Sequence, residues 1–179
     1  MESVENEQRT PTWGEAMADE LLWVHSKIRH DLGVVRDLAE RVLNGAPPAE
    51  IRSEIAALQT NSPLWKLRVN CLYYCRIVHT HHRIEDRFLF PALRQTNPVL
   101  DPVVDRLESD HLRIGGHLDE VETGVDELVA NDAPLSRQRL VDGLNRLAEH
   151  LLAHLSYEEE SILPTMRTWE TWPERRRGR

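Results

Sequence analysis

The chain has 179 residues, 40% apolar, 29% charged and 6% aromatic, with a formal net charge of −8. That length suits one domain with a real core, and the acidic balance argues against general nucleic-acid binding, because a phosphate backbone selects positive surfaces. No apolar run approaches the roughly 20 residues of a membrane span and no basic segment leads into an apolar one, so the expectation is a cytoplasmic protein with no membrane partner.

Helix punctuation divides the chain into four long pieces. The first runs from about Gly14 to Asn44, where Gly45 and Pro47-Pro48 stop it; residues 1–13 are expected to be a disordered N-terminus. Its apolar stripe is Ala18, Leu21, His25, Ile28, Leu32, Val35, Ala39 and Val42. A short amphipathic stretch from Ala49 to Leu58 predicts a connecting helix. Ser62-Pro63 then supplies a cap and a first-turn proline for the second long helix, which reaches the region of Pro91. Its stripe is Leu64, Leu67, Cys71, Tyr74, Val78, His81, Glu85 and Phe88. Cys71 and Cys75 leave the same helix four residues apart, a pair better suited to packing than to a disulfide or a thiolate metal site.

Asp101-Pro102 opens the third helix, which ends near Asn131 with the stripe Val104, Leu107, His111, Ile114, Leu118, Val121, Val125 and Leu128. Ser136 is read as the cap of the fourth, which ends near Pro164 with the stripe Leu140, Leu144, Leu147, Leu151, His154, Glu158 and Ile162. Alternate spacings of three and four predict an all-α, up-and-down four-helix bundle occupying residues 14–166, followed by a basic tail over 167–179 that carries Arg175, Arg176, Arg177 and Arg179.

Four histidines and two glutamates thus project into an otherwise apolar seam, where an unpaired carboxylate is strongly destabilising. An internal repeat supports the selection. His81 to His154, Glu85 to Glu158 and Pro91 to Pro164 are each separated by 73 residues, and His25-Ser-Lys-Ile matches His111-Leu-Arg-Ile. Each half supplies one single-histidine helix and one His-x-x-x-Glu helix, and residues four apart share a helix face, so imidazole and carboxylate can reach one metal cluster. His25, His81, Glu85, His111, His154 and Glu158 are therefore the predicted metal ligands. His82 and Asp86 have the same spacing as His81 and Glu85, but their stripe passes through His79, Cys75, Leu72 and Arg68, a more polar face. With Glu159 they are expected either to hydrogen-bond to ligands or to lie on a solvated face. His30 and His117 fall off the stripes and read as surface or boundary residues, His150 as surface or channel lining. Imidazole with carboxylate and no thiolate fits iron, manganese or zinc.

The segments HSKIR, HTHHRIEDRFLFP, ESDHLRI and HLSYEEESILP resemble the haemerythrin-like family of HHE cation-binding domains, and the string from His79 to Asp86 is similar to that of actinobacterial haemerythrin-like proteins. The resemblance implies two iron ions, oxo- or hydroxo-bridged, with Glu85 and Glu158 as bridging carboxylates. The chain departs from the oxygen carriers at two positions: Gly115 stands four after His111, where they place a histidine, and Glu158 four after His154, where they place an aspartate at five. By resemblance the chain handles small oxidants, peroxide, nitric oxide or dioxygen, in a catalase-like or peroxidase-like way, with an electron donor or protein partner the sequence does not name. The alternative is a sensor or store of iron, oxygen or redox state without turnover.

Overall fold

The computed structural model describes residues 10–44 and 63–173, without the side chains of 63–73, Leu38, Val42 and Val129. The predicted helix over 49–58, the arginines of the tail and residues 1–9 of the N-terminus expected to be disordered lie outside the described residues, as does the side chain of Cys71; against the expected disorder over 1–13, Trp13 already belongs to the first helix.

Helix α1 spans Trp13–Leu43. Its start is set by a reciprocal cap: the Glu15 backbone N–H donates to the Thr12 hydroxyl at 3.2 Å, and the Thr12 N–H donates to the Glu15 carboxylate at 2.7 Å. Helix α2 covers Pro63–Ile84 and continues through a π turn, Glu85–Leu89, into the short α3, Phe90–Thr96. A 3₁₀ turn, Pro98–Leu100, leads to α4, Asp101–Ala130, and a three-residue link to α5, Pro134–Met166. No strand occurs among the described residues. Each long helix packs against two others, α1 on α2 and α5, and α4 on α2 and α5, which closes a square four-helix bundle.

Every described position of the predicted stripes is buried except Phe88, which is 52% exposed. The π turn is the reason. The Phe90 N–H reaches back five residues to the Glu85 carbonyl, and the extra residue in that turn rotates the chain, so Leu89 and Phe90 point inward where a regular helix would aim Phe88. Pro91, at the start of α3, has no N–H to offer and would crowd a carbonyl four residues back; a widened turn relieves both problems. Pro164 sits within the last turn of α5, which runs on to Met166 without such a widening, so the two halves of the repeat differ here. A second difference concerns the start of α5. Ser136 is its third residue, not its cap; Pro134 occupies the first position, where a missing N–H costs nothing.

The apolar interior forms two clusters. One holds Ile28, Leu32, Leu118, Leu144 and Leu151 with their neighbours, and the other Leu21, Phe90, Leu107, Ile162 and Trp169. The second is closed by the chain after α5. Trp169 is buried, donates from Nε1 to the Thr96 hydroxyl at 3.2 Å, and meets Trp172 edge-on, which in turn meets Trp13. This turn lies so close to α1 that the Gly14 N–H donates to the Trp169 carbonyl at 2.9 Å, and a Cβ at Gly14 would fall 2.1 Å from the Met166 carbonyl oxygen. Between the two clusters lies a slab of buried polar side chains.

Candidate metal centre

All six predicted ligands are buried in that slab, and a seventh donor joins them: His82 is 4% exposed. The ligating atoms form two groups, His25, His81, Glu85 and Glu158 in one, and His82, His111 and His154 in the other; within each they lie within 4.8 Å of one another. The helix geometry explains the division. Consecutive residues on α2 diverge by about 100°, so His81 turns toward α1 while His82 turns toward α4 and α5. His82 stacks on His111 with centroids 4.0 Å apart and meets His154 edge-on at 5.3 Å.

Imidazole nitrogens face each other in pairs, His25 Nε2 to His81 Nε2 at 3.1 Å and His111 Nε2 to His154 Nε2 at 3.2 Å. The carboxylates stand between the pairs. Glu85 places Oε1 3.1 Å from His81 Nε2 and Oε2 3.5 Å from His111 Nε2; Glu158 Oε2 is 3.5 Å from His25 Nε2 and 3.6 Å from His154 Nε2. Each glutamate therefore lies against histidines of both groups.

The tautomers of two rings are set from behind. His25 Nδ1 donates to Glu159 at 2.7 Å, and Glu159 also accepts from Arg29 at 2.7 Å; His111 Nδ1 donates to Asp86 at 2.7 Å. With the proton on Nδ1, the Nε2 lone pair points into the slab. Asp86 and Glu159, expected either to bond to ligands or to be solvated, do the former while remaining partly exposed. Burial opposes a negative charge on Glu159, but the bonds from Arg29 and His25 outweigh it and hold its pKa below the usual range.

The electrostatics describe a cavity that needs positive charge. Burial, followed by the charge of Glu158, raises the Glu85 pKa well above the ordinary carboxylate value, and burial with the Glu159 charge pushes Glu158 up to about 8. Burial, reinforced by neighbouring imidazoles, lowers His81 to about 3 and His111 to about 2, and with His25 and Arg106 nearby lowers His154 to about 4. The rings are neutral, as ligands must be. Both oxygens of Glu85, both of Glu158 and Nε2 of His82 are buried without a hydrogen-bond partner among the described residues. Polar atoms left so cost several kcal/mol in aggregate, roughly 1–3 each, unless a cation takes up their lone pairs. Nitrogen and carboxylate donors facing one another without thiolate fit a pair of divalent or trivalent transition-metal ions.

A profile of the Hemerythrin HHE cation binding domain matches residues 16–166. The chain belongs to this family. The matched span covers the four long helices but for the first three residues of α1, and every residue of the slab, so membership of the HHE family and the donor geometry point to the same cation-binding centre. Neither the curated proteins nor the solved structures hold a significant match to the chain.

His82 is the residue that sequence reasoning misplaced. A signal was present: with glycine rather than histidine at 115, one turn after His111 on α4, the nitrogen donors on that side were one short, and an adjacent histidine on α2 was at hand. The remaining histidines stay outside the slab. His30 is exposed, His79 is half-buried with Nε2 3.8 Å from Asp119, and His117 and His150 contact each other. Tyr74 of the α2 stripe is buried in the apolar cluster that holds Ile28 and Leu32.

A groove of about 510 Å³ runs between α1 and the π turn to reach His81 and Glu85, walled by Leu21, Val24, Ile77, Ile84, Phe88 and Trp172. The π turn that swings Phe88 outward makes that side chain part of its wall.

Proposed function

We propose that this HHE-family chain is a non-haem di-iron protein that acts on small oxidants, peroxide, nitric oxide or dioxygen, with catalase-like or peroxidase-like turnover. The observation that carries the reading is the buried donor set of five neutral imidazoles and two carboxylates whose oxygens lack other partners. His25, His81, Glu85 and Glu158 would hold one ion and His82, His111 and His154 the other, with Glu85 and Glu158 contributing to both. Two iron ions in such a setting supply Lewis acidity and exchangeable electrons.

The chain's own residues do the rest. Glu159 and Asp86 keep the protons of His25 and His111 on Nδ1, so that Nε2 remains a donor. Arg29 keeps Glu159 ionised for that purpose. Leu21, Leu89 and Phe90 on one side and Ile114 and Leu151 on the other keep bulk water out of the slab. The apolar groove at His81 and Glu85 offers an entry for small uncharged molecules, which hydrogen peroxide, nitric oxide and dioxygen are, and disfavours anions, which would be desolvated there. Seven donor side chains shared between two ions leave coordination positions for an incoming ligand, which favours reaction over simple storage.

The test is consumption of hydrogen peroxide and of nitric oxide by the iron-loaded protein, followed by gas electrodes. The expected result is turnover of at least one, lost in Glu85→Ala. Iron-loaded protein that leaves both unchanged, while metal removal shifts its oligomeric state, would sink the proposal in favour of a sensor.

A further inference from the structure

Outside the slab, a third pair of histidines meets between α4 and α5. His117 Nε2 and His150 Nδ1 are 2.6 Å apart, with the rings stacked at 25° and centroids 4.7 Å apart. That separation is below the usual range for a neutral N–H donor and its acceptor, roughly 2.7–3.2 Å. The setting is a looser form of one already seen at the centre. There, Nδ1 of His25 faces Glu159, and Arg29 holds Glu159; here, Nδ1 of His117 faces Glu120 at 3.5 Å, and Arg146 reaches Glu120 at 3.4 Å. Nδ1 of His117 is buried without a hydrogen-bond partner among the described residues, and the Glu120 carboxylate 3.5 Å away favours the proton there, which leaves the Nε2 lone pair toward His150.

We propose that His117 and His150 form a further metal site, distinct from the buried centre, that binds one imidazole-preferring divalent cation, zinc or copper, through His117 Nε2 and His150 Nδ1. Metal binding needs the second lone pair as well, so the proton on His150 Nδ1 moves to its Nε2, which a half-exposed ring can present to water. Two imidazole nitrogens each about 2.1 Å from a tetrahedral ion stand roughly 3.4 Å apart, so the rings part by less than about 1 Å. The side chain of His117 is 15% exposed, which leaves an open flank where water completes the coordination. Two histidine ligands are too few for a structural zinc site, which marks this as an exchangeable one.

Equilibrium dialysis against zinc chloride, with metal counted per chain, tests the assignment. His150→Gln and His117→Gln should each bind about one ion fewer than the unaltered protein at unchanged helix content, whereas Glu85→Gln should lose ions from the buried centre and keep this one. Copper added to the Glu85→Gln protein should show nitrogen hyperfine splitting from two imidazoles in its electron paramagnetic resonance spectrum, lost when His117→Gln or His150→Gln is combined with it. If both glutamine variants bind as many zinc ions as the unaltered protein, the pair is only a hydrogen bond and the site does not exist. The difference between these variants does not depend on what the buried centre holds, so failure of the di-iron reading would appear in the Glu85→Gln arm alone.

Discussion

At the scale of single residues, the bonds behind the histidines matter as much as the donors themselves. Glu159 and Asp86 fix the tautomers of His25 and His111 through 2.7 Å bonds. Replacing either by alanine should weaken metal binding about 10–100-fold, measured by competition with a chromophoric chelator, because such partners commonly contribute that much. His30→Ala, at an exposed position off every stripe, should leave affinity unchanged. His82→Ala should lower the stoichiometry; full metal content in that variant would return His82 to the role of a bystander. The six predicted residues were legible because each interrupts an apolar stripe at helical spacing. His82 was not, because a stripe describes one face of a helix, and α2 presents two adjacent residues to two different neighbours.

At the scale of elements, proline and capping signals located the helices to within a few residues, and periodicity located their buried faces. Periodicity failed at one place. It assumes a constant angle per residue, and the π turn at Glu85–Leu89 breaks that assumption, exposing Phe88 and burying Leu89 and Phe90. The turn begins at a glutamate of the slab, in keeping with the tendency of such turns to occur at functional sites. The cap made by Thr12 and Glu15 was also written in the sequence, as Thr-x-x-Glu, and sets the start of α1 one residue before Gly14. The closure of the chain after α5 over α1 was not legible, since it depends on distant residues meeting. Its tightest point is testable: Gly14→Ala should destabilise the protein by about 1–3 kcal/mol in urea denaturation, because the added methyl group meets main-chain oxygen that cannot move aside. Unchanged stability would show that the terminal turn packs differently.

At the scale of the whole molecule, two apolar clusters enclose a polar slab whose donors oppose folding unless a cation joins them. The metal-free protein should show this in its pH dependence. Histidines with lowered folded pKa bind fewer protons folded than unfolded, so their contribution is whole above about pH 6.5 and is lost as pH falls toward the folded values, about 4 for His154 and about 3 for His81. Glu85 and Glu158 have raised folded pKa, so their contribution runs the other way, lost as pH rises from about 4.5 through about 8 for Glu158. Five histidines outnumber two glutamates, so the melting temperature of the metal-free chain should fall from pH 6.5 to pH 5 and also decline above neutrality. A melting temperature that rises steadily on acidification would contradict these assignments. Metal should raise stability by about 2.7 kcal/mol at a free concentration one hundred times its Kd.

The most direct measurement for the central claim is elemental analysis of the aerobically purified protein after iron reconstitution, with the Glu85→Ala variant alongside. Ions at the surface pair are removed first by brief dialysis against a weak chelator. The donor set predicts two iron ions per chain in the unaltered protein and loss of both on removing the carboxylate that touches both groups. A single zinc ion per chain, or iron content indifferent to Glu85, would contradict the di-iron centre.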